Sequence, residues 1–181
     1  MKKIFLFLNF ITISVLAQQE KFQSEVILET KLSCRAILVD DEKVWMGMDK
    51  GRYGFYDKRN DTTIISDIQL VARTTEFRSI AQTKAAIFIL AVGNPALLIR
   101  IDKKTLEESV VYREVHEKVF YDSMQFVDDL NGFAMGDPVE NCLSFLKTND
   151  GGKTWQKVNC ELLPKVSEGE AAFATSNTNL I

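Results

Sequence analysis

The chain has 181 residues, a formal net charge of -3 at pH 7 and 46% hydrophobic residues. A mildly acidic chain argues against nucleic acid as a general partner, because proteins that bind phosphates cluster Lys and Arg. One histidine and the lack of a C-x-x-C spacing leave a zinc site without its usual ligands. The sequence has no dinucleotide-binding glycine motif and no P-loop, so we expect neither a metal nor a cofactor.

The N-terminus predicts an export signal. Lys2 and Lys3 give a positive start, residues 4–16 are almost wholly apolar, and a small residue, Ala17, precedes a suitable cleavage point. The apolar stretch is too short to span a bilayer comfortably. We therefore expect residues 1–17 to be a signal peptide and the mature protein to be periplasmic, on the cell surface or secreted, with no integral membrane span.

Short segments of the chain recur at a nearly constant spacing. Residues 91–95 (Ala-Val-Gly-Asn-Pro) recur as residues 134–138 (Ala-Met-Gly-Asp-Pro), at an offset of 43 residues. Residues 35–37 recur as residues 78–80 at the same offset, and a similar triplet follows at residues 122–124. Each repeat holds several short, bulky segments separated by glycine turns. A repeat of this size fits one four-stranded blade of a β-propeller.

These repeats predict an all-β fold, a partial β-propeller with about three four-stranded antiparallel blades. The blades are expected near residues 31–75, 76–119 and 120–163, with a truncated fourth from residue 164 whose first strand covers residues 170–176. A β-sandwich with accidental internal similarity remains an alternative, whereas no strong amphipathic helical pattern supports an α/β fold. A closed propeller needs roughly six to eight blades, so we expect the chain to be the N-terminal part of a longer protein.

Polar residues stand at one equivalent position of the three repeats. Arg35 and Arg78 begin the strand that lines the central channel of a propeller, and Asp122 takes that place in the third repeat. The forked donors of arginine suit carboxylates, phosphates or the acidic loops of a partner. The three residues are therefore candidate ligand or partner contacts at the axis. The alternative is that each arginine pairs with a carboxylate of a neighbouring blade, such as Asp122, Glu168 or Glu170.

The segment from Thr148 to Trp155 predicts a tight hairpin. Asp150 and the two following glycines can reverse the chain, because glycine accepts positive φ and an aspartate side chain accepts bonds from nearby backbone N–H groups. Trp155 supplies apolar surface to fix the hairpin to a core. The residues expected to build it are Thr148, Asp150, Gly152, Thr154 and Trp155.

Two cysteines flank this hairpin at equal distances. Cys142 and Cys160 are each nine residues from Gly151, so a regular hairpin centred there would place them opposite one another and allow a disulfide. A bulge at the glycines would shift the register and leave two separate thiols. Cys34 has no evident partner and is expected to be a small core residue. His116 lies in a charged stretch and is expected in a solvated loop.

The hairpin resembles the Asp box, S/T-x-D-x-G-x-T-W, of BNR-type β-propellers. With residues 122–126, Gly132, residues 136–138 and residues 169–174, the chain resembles exported Ycf48-like propellers of the photosystem II assembly factor type. In that family the box is a folding element away from the ligand. The resemblance implies a seven-bladed binding scaffold. Similar proteins are often labelled oxidoreductase or glycosyl hydrolase, but the residues present here support neither label.

Two functions follow as expectations. The first is an exported noncatalytic scaffold that binds a protein partner or a glycan. The alternative is a sialidase-like glycoside hydrolase, in which Arg35 and Arg78 would form part of an arginine cluster. That activity also needs a tyrosine nucleophile with its carboxylate, which no sequence pattern marks. Its catalytic residues would then lie partly in further blades.

Overall fold

The computed structural model describes residues 23–172 of the chain. The predicted signal peptide, residues 1–17, lies outside the described residues, as do residues 173–176 of the strand predicted for a fourth blade. Residues 170–172 are described and are not in a strand. No helix within residues 23–172 is long and apolar enough to cross a membrane.

Strands in residues 23–172 form three antiparallel sheets of four. The first sheet, blade 1, contains β1 (Cys34–Asp40), β2 (Lys43–Met48), β3 (Arg52–Asp57) and β4 (Thr62–Asp67). The second, blade 2, contains β5 (Phe77–Gln82), β6 (Ala86–Ala91), β7 (Ala96–Asp102) and β8 (Glu108–Glu114). The third, blade 3, contains β9 (Tyr121–Phe126), β10 (Gly132–Val139), β11 (Cys142–Thr148) and β12 (Gln156–Lys157), and a short 3-10 helix follows at Cys160–Leu162.

Each sheet is a meander whose strands pair in chain order. The first strands of the blades lie together, since β5 contacts both β1 and β9. These inner strands therefore lie side by side next to the propeller axis, and the later strands of each blade extend outward. This arrangement confirms the predicted partial β-propeller with three four-stranded antiparallel blades.

Two hydrophobic cores fill the spaces between successive blades. The core between blades 1 and 2 includes Trp45, Phe55 and Ile89, and the core between blades 2 and 3 includes Phe88 and Trp155. Blade 2 is covered on both faces, and all six residues of β6 are buried. A strand buried on both faces has no solvent side, which explains why its sequence is a continuous apolar run rather than an alternating one.

Candidate binding site at the start of the inner strands

The three residues expected at the axis occupy the same structural position in their blades. Arg35, Arg78 and Asp122 are each the second residue of an inner strand, β1, β5 and β9. Each is also the extra residue of a register shift. In blade 1 the pairing passes from Cys34 to Ala36, and equivalent shifts pass over Arg78 and Asp122. A β-bulge changes the direction of the side chain that it carries. The repeat in the sequence therefore marks a repeated bulge.

The two arginines meet on one carboxylate that the sequence analysis missed. Arg35 Nε lies 3.3 Å from Glu76 Oε1, and Arg78 Nε lies 3.2 Å from the same oxygen. Arg78 Nη2 also donates to Glu76 Oε2 at 3.5 Å. Glu76 is the residue before β5, so it joins blades 1 and 2 at the end of the strands where β1 and β5 begin. The observed partner is thus Glu76, rather than Asp122, Glu168 or Glu170.

Arg35 and Arg78 differ in their exposure. The Arg35 side chain is 53% exposed, whereas that of Arg78 is 25% exposed and its guanidinium lies 5.6 Å from the centre of the Phe120 ring. This cation–π contact and the ion pair with Glu76 hold Arg78 in place. Two guanidinium groups share one carboxylate here, so the Arg35–Glu76–Arg78 group carries a net positive charge at an accessible surface.

Asp122 does not share this surface. The residue is 1% exposed, so its carboxylate lies below the surface that Arg35 reaches. The adjoining backbone leaves little room, because a side chain on Gly136 would come within 2.1 Å of the Phe120 carbonyl oxygen. The burial gives no support to the predicted ligand contact of Asp122, and we leave the residue out of the binding surface.

An open cleft adjoins the arginine group at the same end of the blades. Its volume is about 500 Å³, and Glu76 forms part of its wall. The connector between β4 and β5 forms one side, and the turn between β6 and β7 forms another. Leu70 and Val110 line it although both are large apolar residues, 48% and 41% exposed.

The residues of the predicted Asp box form a hydrogen-bonded hairpin at the opposite end of blade 3. Thr148 Oγ1 donates to Asp150 Oδ1 at 2.8 Å, and Thr154 donates to the Asp150 carboxylate through its N–H at 3.0 Å and its hydroxyl at 2.7 Å. Gly152 N–H in turn donates to Thr148 Oγ1 at 3.0 Å. Burial alone would raise the pKa of Asp150, but the bonds from Thr154 and Thr148 outweigh it and lower the pKa to about 2.

Packing fixes the hairpin against blade 2. Trp155 is 6% exposed and contacts the rings of Phe88 and Phe126 edge-on, at centroid distances of 6.4 and 5.6 Å. Gly152 has φ +77°, and a Cβ there would lie 2.4 Å from the Phe88 ring. Only glycine combines this φ with so close an approach. Asp150 therefore stabilises the turn, and both of its carboxylate oxygens accept hydrogen bonds within the hairpin.

Cys142 and Cys160 are joined by a disulfide, with their Cα atoms 5.5 Å apart. The chain brings the two cysteines together differently from the regular hairpin that the sequence predicted. Lys147 pairs with Gln156, which moves the centre of the hairpin half a residue beyond Gly151, and β12 ends at Lys157. Cys160 lies in the 3-10 helix instead of a strand, and this turn brings it back to Cys142. Of the described cysteines Cys34 is free, and burial raises the pKa of its thiol.

A tyrosine–carboxylate network joins blades 2 and 3, and the sequence analysis missed it. Glu114 Oε2 accepts hydrogen bonds from Tyr112 and Tyr121, both at 2.8 Å, and Glu114 Oε1 accepts one from Lys157 Nζ at 2.5 Å. Burial would raise the pKa of Glu114, but the bonds from Lys157 and the two tyrosines outweigh it and lower the pKa. Tyr121 is completely buried, and this burial raises the pKa of its phenol.

The single histidine of the chain lies apart from the sites described above. His116 lies in the loop between β8 and β9, where Nδ1 accepts a bond from Lys118 N–H at 3.2 Å and Nε2 lies 3.8 Å from Glu140 Oε1. Across residues 23–172, no group of three His, Cys, Asp or Glu side chains is placed to hold a metal ion.

Comparison with solved structures identifies β-propellers as similar folds. The structure described as "YCF48 bound to D1 peptide" has a TM-score of 0.56 and 15% sequence identity, and covers 73% of this chain. "Structure of U3-55K" and "Crystal structure of RRP9 WD40 repeats" each have a TM-score of 0.60 and 8% identity, and cover 81% of this chain.

This chain spans 42%, 43% and 42% of the three neighbours' own lengths, in that order. No protein-family model and no curated protein matches the chain. At these identities the likeness shows the propeller fold, and function must be argued from the site.

Proposed function

We propose that the chain is part of an exported, noncatalytic β-propeller that binds a protein partner. In this proposal an acidic segment of the partner binds to Arg35 and Arg78 at the start of the inner strands. The observation that carries it is the convergence of two arginines from neighbouring blades on Glu76. The disulfide between Cys142 and Cys160 supports export, because such bonds persist in oxidising compartments.

The geometry of the arginine group suits recognition of a carboxylate. Arg35 contacts Glu76 through Nε, and its side chain is 53% exposed, so much of its donor fork remains accessible. Glu76 holds both guanidinium groups in position before a partner arrives, which lowers the entropy lost on binding. A second carboxylate can join the group because two positive charges face one negative charge there.

The glycan-hydrolysing alternative gains no support from the described residues. A tyrosine–carboxylate pair does exist, formed by Tyr121 and Glu114, but Tyr121 is 0% exposed and its phenol has a raised pKa. A nucleophile must reach the substrate and lose its proton. Tyr121 does not reach the surface, and the hydrogen bonds of Glu114 with Tyr121 and Lys157 join blade 2 to blade 3.

The proposal is tested with labelled peptides and matched variants. The probes are fluorescein-labelled Gly-Ser peptides with three Glu residues or, as the reference, three Gln residues, measured by fluorescence anisotropy. We expect the chain to prefer the Glu peptide, and Arg35→Gln with Arg78→Gln to weaken that binding about tenfold. Arg59→Gln is the control, because Arg59 is an exposed arginine on the turn after β3 with no ion pair within residues 23–172.

A third variant separates binding from stability. Glu76→Gln removes the carboxylate that competes with the peptide for Arg35 and Arg78, so we expect tighter binding of the Glu peptide. Loss of these two partly exposed ion pairs should change the unfolding temperature little, since ion pairs near the surface contribute about 0–1 kcal/mol each. Equal affinity for the Glu and Gln peptides would contradict the proposal. A lowered unfolding temperature in the arginine variants, without a change in affinity, would assign these residues to the fold alone.

A further inference from the structure

The cleft beside Glu76 has the composition of a side-chain pocket. Its volume of about 500 Å³ lies within the range of pockets that hold small ligands. Leu70, Val71 and Val110 give it apolar walls. The side chains of Leu70 and Val110 are exposed, and burial of exposed apolar surface is the main favourable term in association.

A positive charge stands in the wall of the same cleft. Arg113 lines it from β8, where it pairs with Leu97 of β7. Arg113 is exposed and forms no ion pair within residues 23–172, in contrast to Arg35 and Arg78. The wall of the cleft thus contains three features. One is the carboxylate of Glu76, which Arg35 and Arg78 hold, and the second is apolar surface. The third is Arg113, which is free to bind a carboxylate of a partner.

We propose that this cleft is a second subsite for the partner, which is an extended peptide segment that carries an apolar residue and two acidic residues. A branched apolar side chain lies between Leu70 and Val110, and one carboxylate binds Arg113. The other carboxylate binds the group of Arg35 and Arg78 across Glu76. This inference rests on the proposed function and names the chemistry of the partner segment.

A substitution at Gly93 tests the cleft without replacing any of its charged residues. Gly93 lines the cleft, and a Cβ built on it meets nothing within 4 Å. Gly93→Trp therefore fills the cleft from its wall, and Gly93→Ala is the matched control that leaves the space open. Arg113→Gln removes the charge in the wall.

The probes are labelled peptides with two Glu residues on either side of a Leu, joined by Gly-Ser spacers of one to four residues. Each has a counterpart with Gly in place of Leu. For the best spacing we expect the Leu peptide to bind about tenfold more tightly than its Gly counterpart. Gly93→Trp should abolish that difference, Gly93→Ala should keep it, and Arg113→Gln should weaken both peptides severalfold.

The outcomes separate the cleft from the arginine group. A Leu preference that survives Gly93→Trp, or no Leu preference at any spacing, overturns the cleft subsite while binding of Glu-rich peptides by Arg35 and Arg78 still stands. If the Leu preference is sensitive to Gly93→Trp and the affinity for the Leu peptide is unchanged in the Arg35→Gln, Arg78→Gln protein, the result supports the cleft and overturns the proposed function. Binding of N-acetyl-leucinamide as tight as the peptide would also overturn the assignment to a peptide.

Discussion

Replacing Asp150 with Asn should destabilise the chain by an amount that depends on pH. The Asp150 carboxylate accepts hydrogen bonds from Thr148 Oγ1 and from the N–H and hydroxyl of Thr154. An asparagine keeps the shape of the side chain but loses the negative charge, and its NH₂ group cannot accept these bonds. Hydrogen bonds to a charged group are stronger than those between neutral groups, so the variant loses more than a single contact.

The magnitude follows from the pKa of Asp150, which is lowered from 3.8 to about 2. Each pKa unit corresponds to about 1.4 kcal/mol, so the full shift would represent about 2.5 kcal/mol. Asp150 is partly exposed, and screening by solvent reduces this value to about 1 kcal/mol. The folded-state pKa lies below the ordinary value. The stabilisation is therefore complete above the ordinary pKa and is lost as the pH falls toward 2.

The assay is thermal unfolding of the chain and of Asp150→Asn between pH 7 and pH 2.5. At pH 7 the variant should unfold about 2–4 °C lower, and the difference should shrink steadily below pH 4. Asp41→Asn is the control, because Asp41 is exposed and its side chain forms no hydrogen bond or ion pair within residues 23–172. A difference of the same size at pH 7 and pH 2.5 would refute the assignment of the effect to the charge.

Three further changes should lower stability for separate reasons. Reducing the disulfide between Cys142 and Cys160, which closes a loop of 18 residues, should lower the unfolding free energy by about 3 kcal/mol, as calorimetry with and without reductant would measure. Tyr121→Phe removes a bond to the Glu114 carboxylate and should cost about 1.5–3 kcal/mol in urea unfolding. Gly152→Ala places a methyl group 2.4 Å from a buried phenylalanine ring and should cost more than about 2 kcal/mol by the same measurement.

Each change has a control within the chain. Cys34→Ser changes a cysteine outside the disulfide, Tyr56→Phe removes an exposed bond to Asp61, and Gly93→Ala adds a methyl group where nothing lies within 4 Å. The controls should each change the unfolding free energy by less than about 1 kcal/mol. If a control lowers the unfolding free energy as much as the change it is matched with, the named contact is not the cause of the loss.

The hairpin of blade 3 could be predicted from the sequence because its interactions are local. The bonds that shape it connect Thr148, Asp150, Gly152 and Thr154, and these residues lie within seven positions of one another. The disulfide depended on more than this spacing. The end of β12 at Lys157 and the turn that follows it decide where Cys160 lies, and neither can be deduced from the distance to Gly151.

Of the candidate site, only the residues that recur in the sequence repeats could be predicted. Arg35 and Arg78 stand at equivalent positions, so the 43-residue offset identified them together. Glu76 was missed because the equivalent residues of the other repeats, Ser33 and Phe120, are not acidic. Periodicity identifies positions that share a structural role, whereas an ion pair between blades needs its carboxylate only once. The bulges were missed for another reason, since a bulge is a property of the pairing between two strands and no single segment shows it.

The hairpin that stabilises blade 3 and the proposed binding group of Arg35 and Arg78 lie at opposite ends of the blades. Thr148 at the hairpin end of β11 pairs with Gly132, whereas Tyr121 at the start of β9 pairs with Gly136, so β10 separates the hairpin from the level of the arginine group. The hairpin is held by buried aromatic packing, but the Arg35 side chain is 53% exposed and pairs with Glu76. Substitutions at Arg35 should therefore alter partner binding with little effect on unfolding, and substitutions in the hairpin should do the reverse.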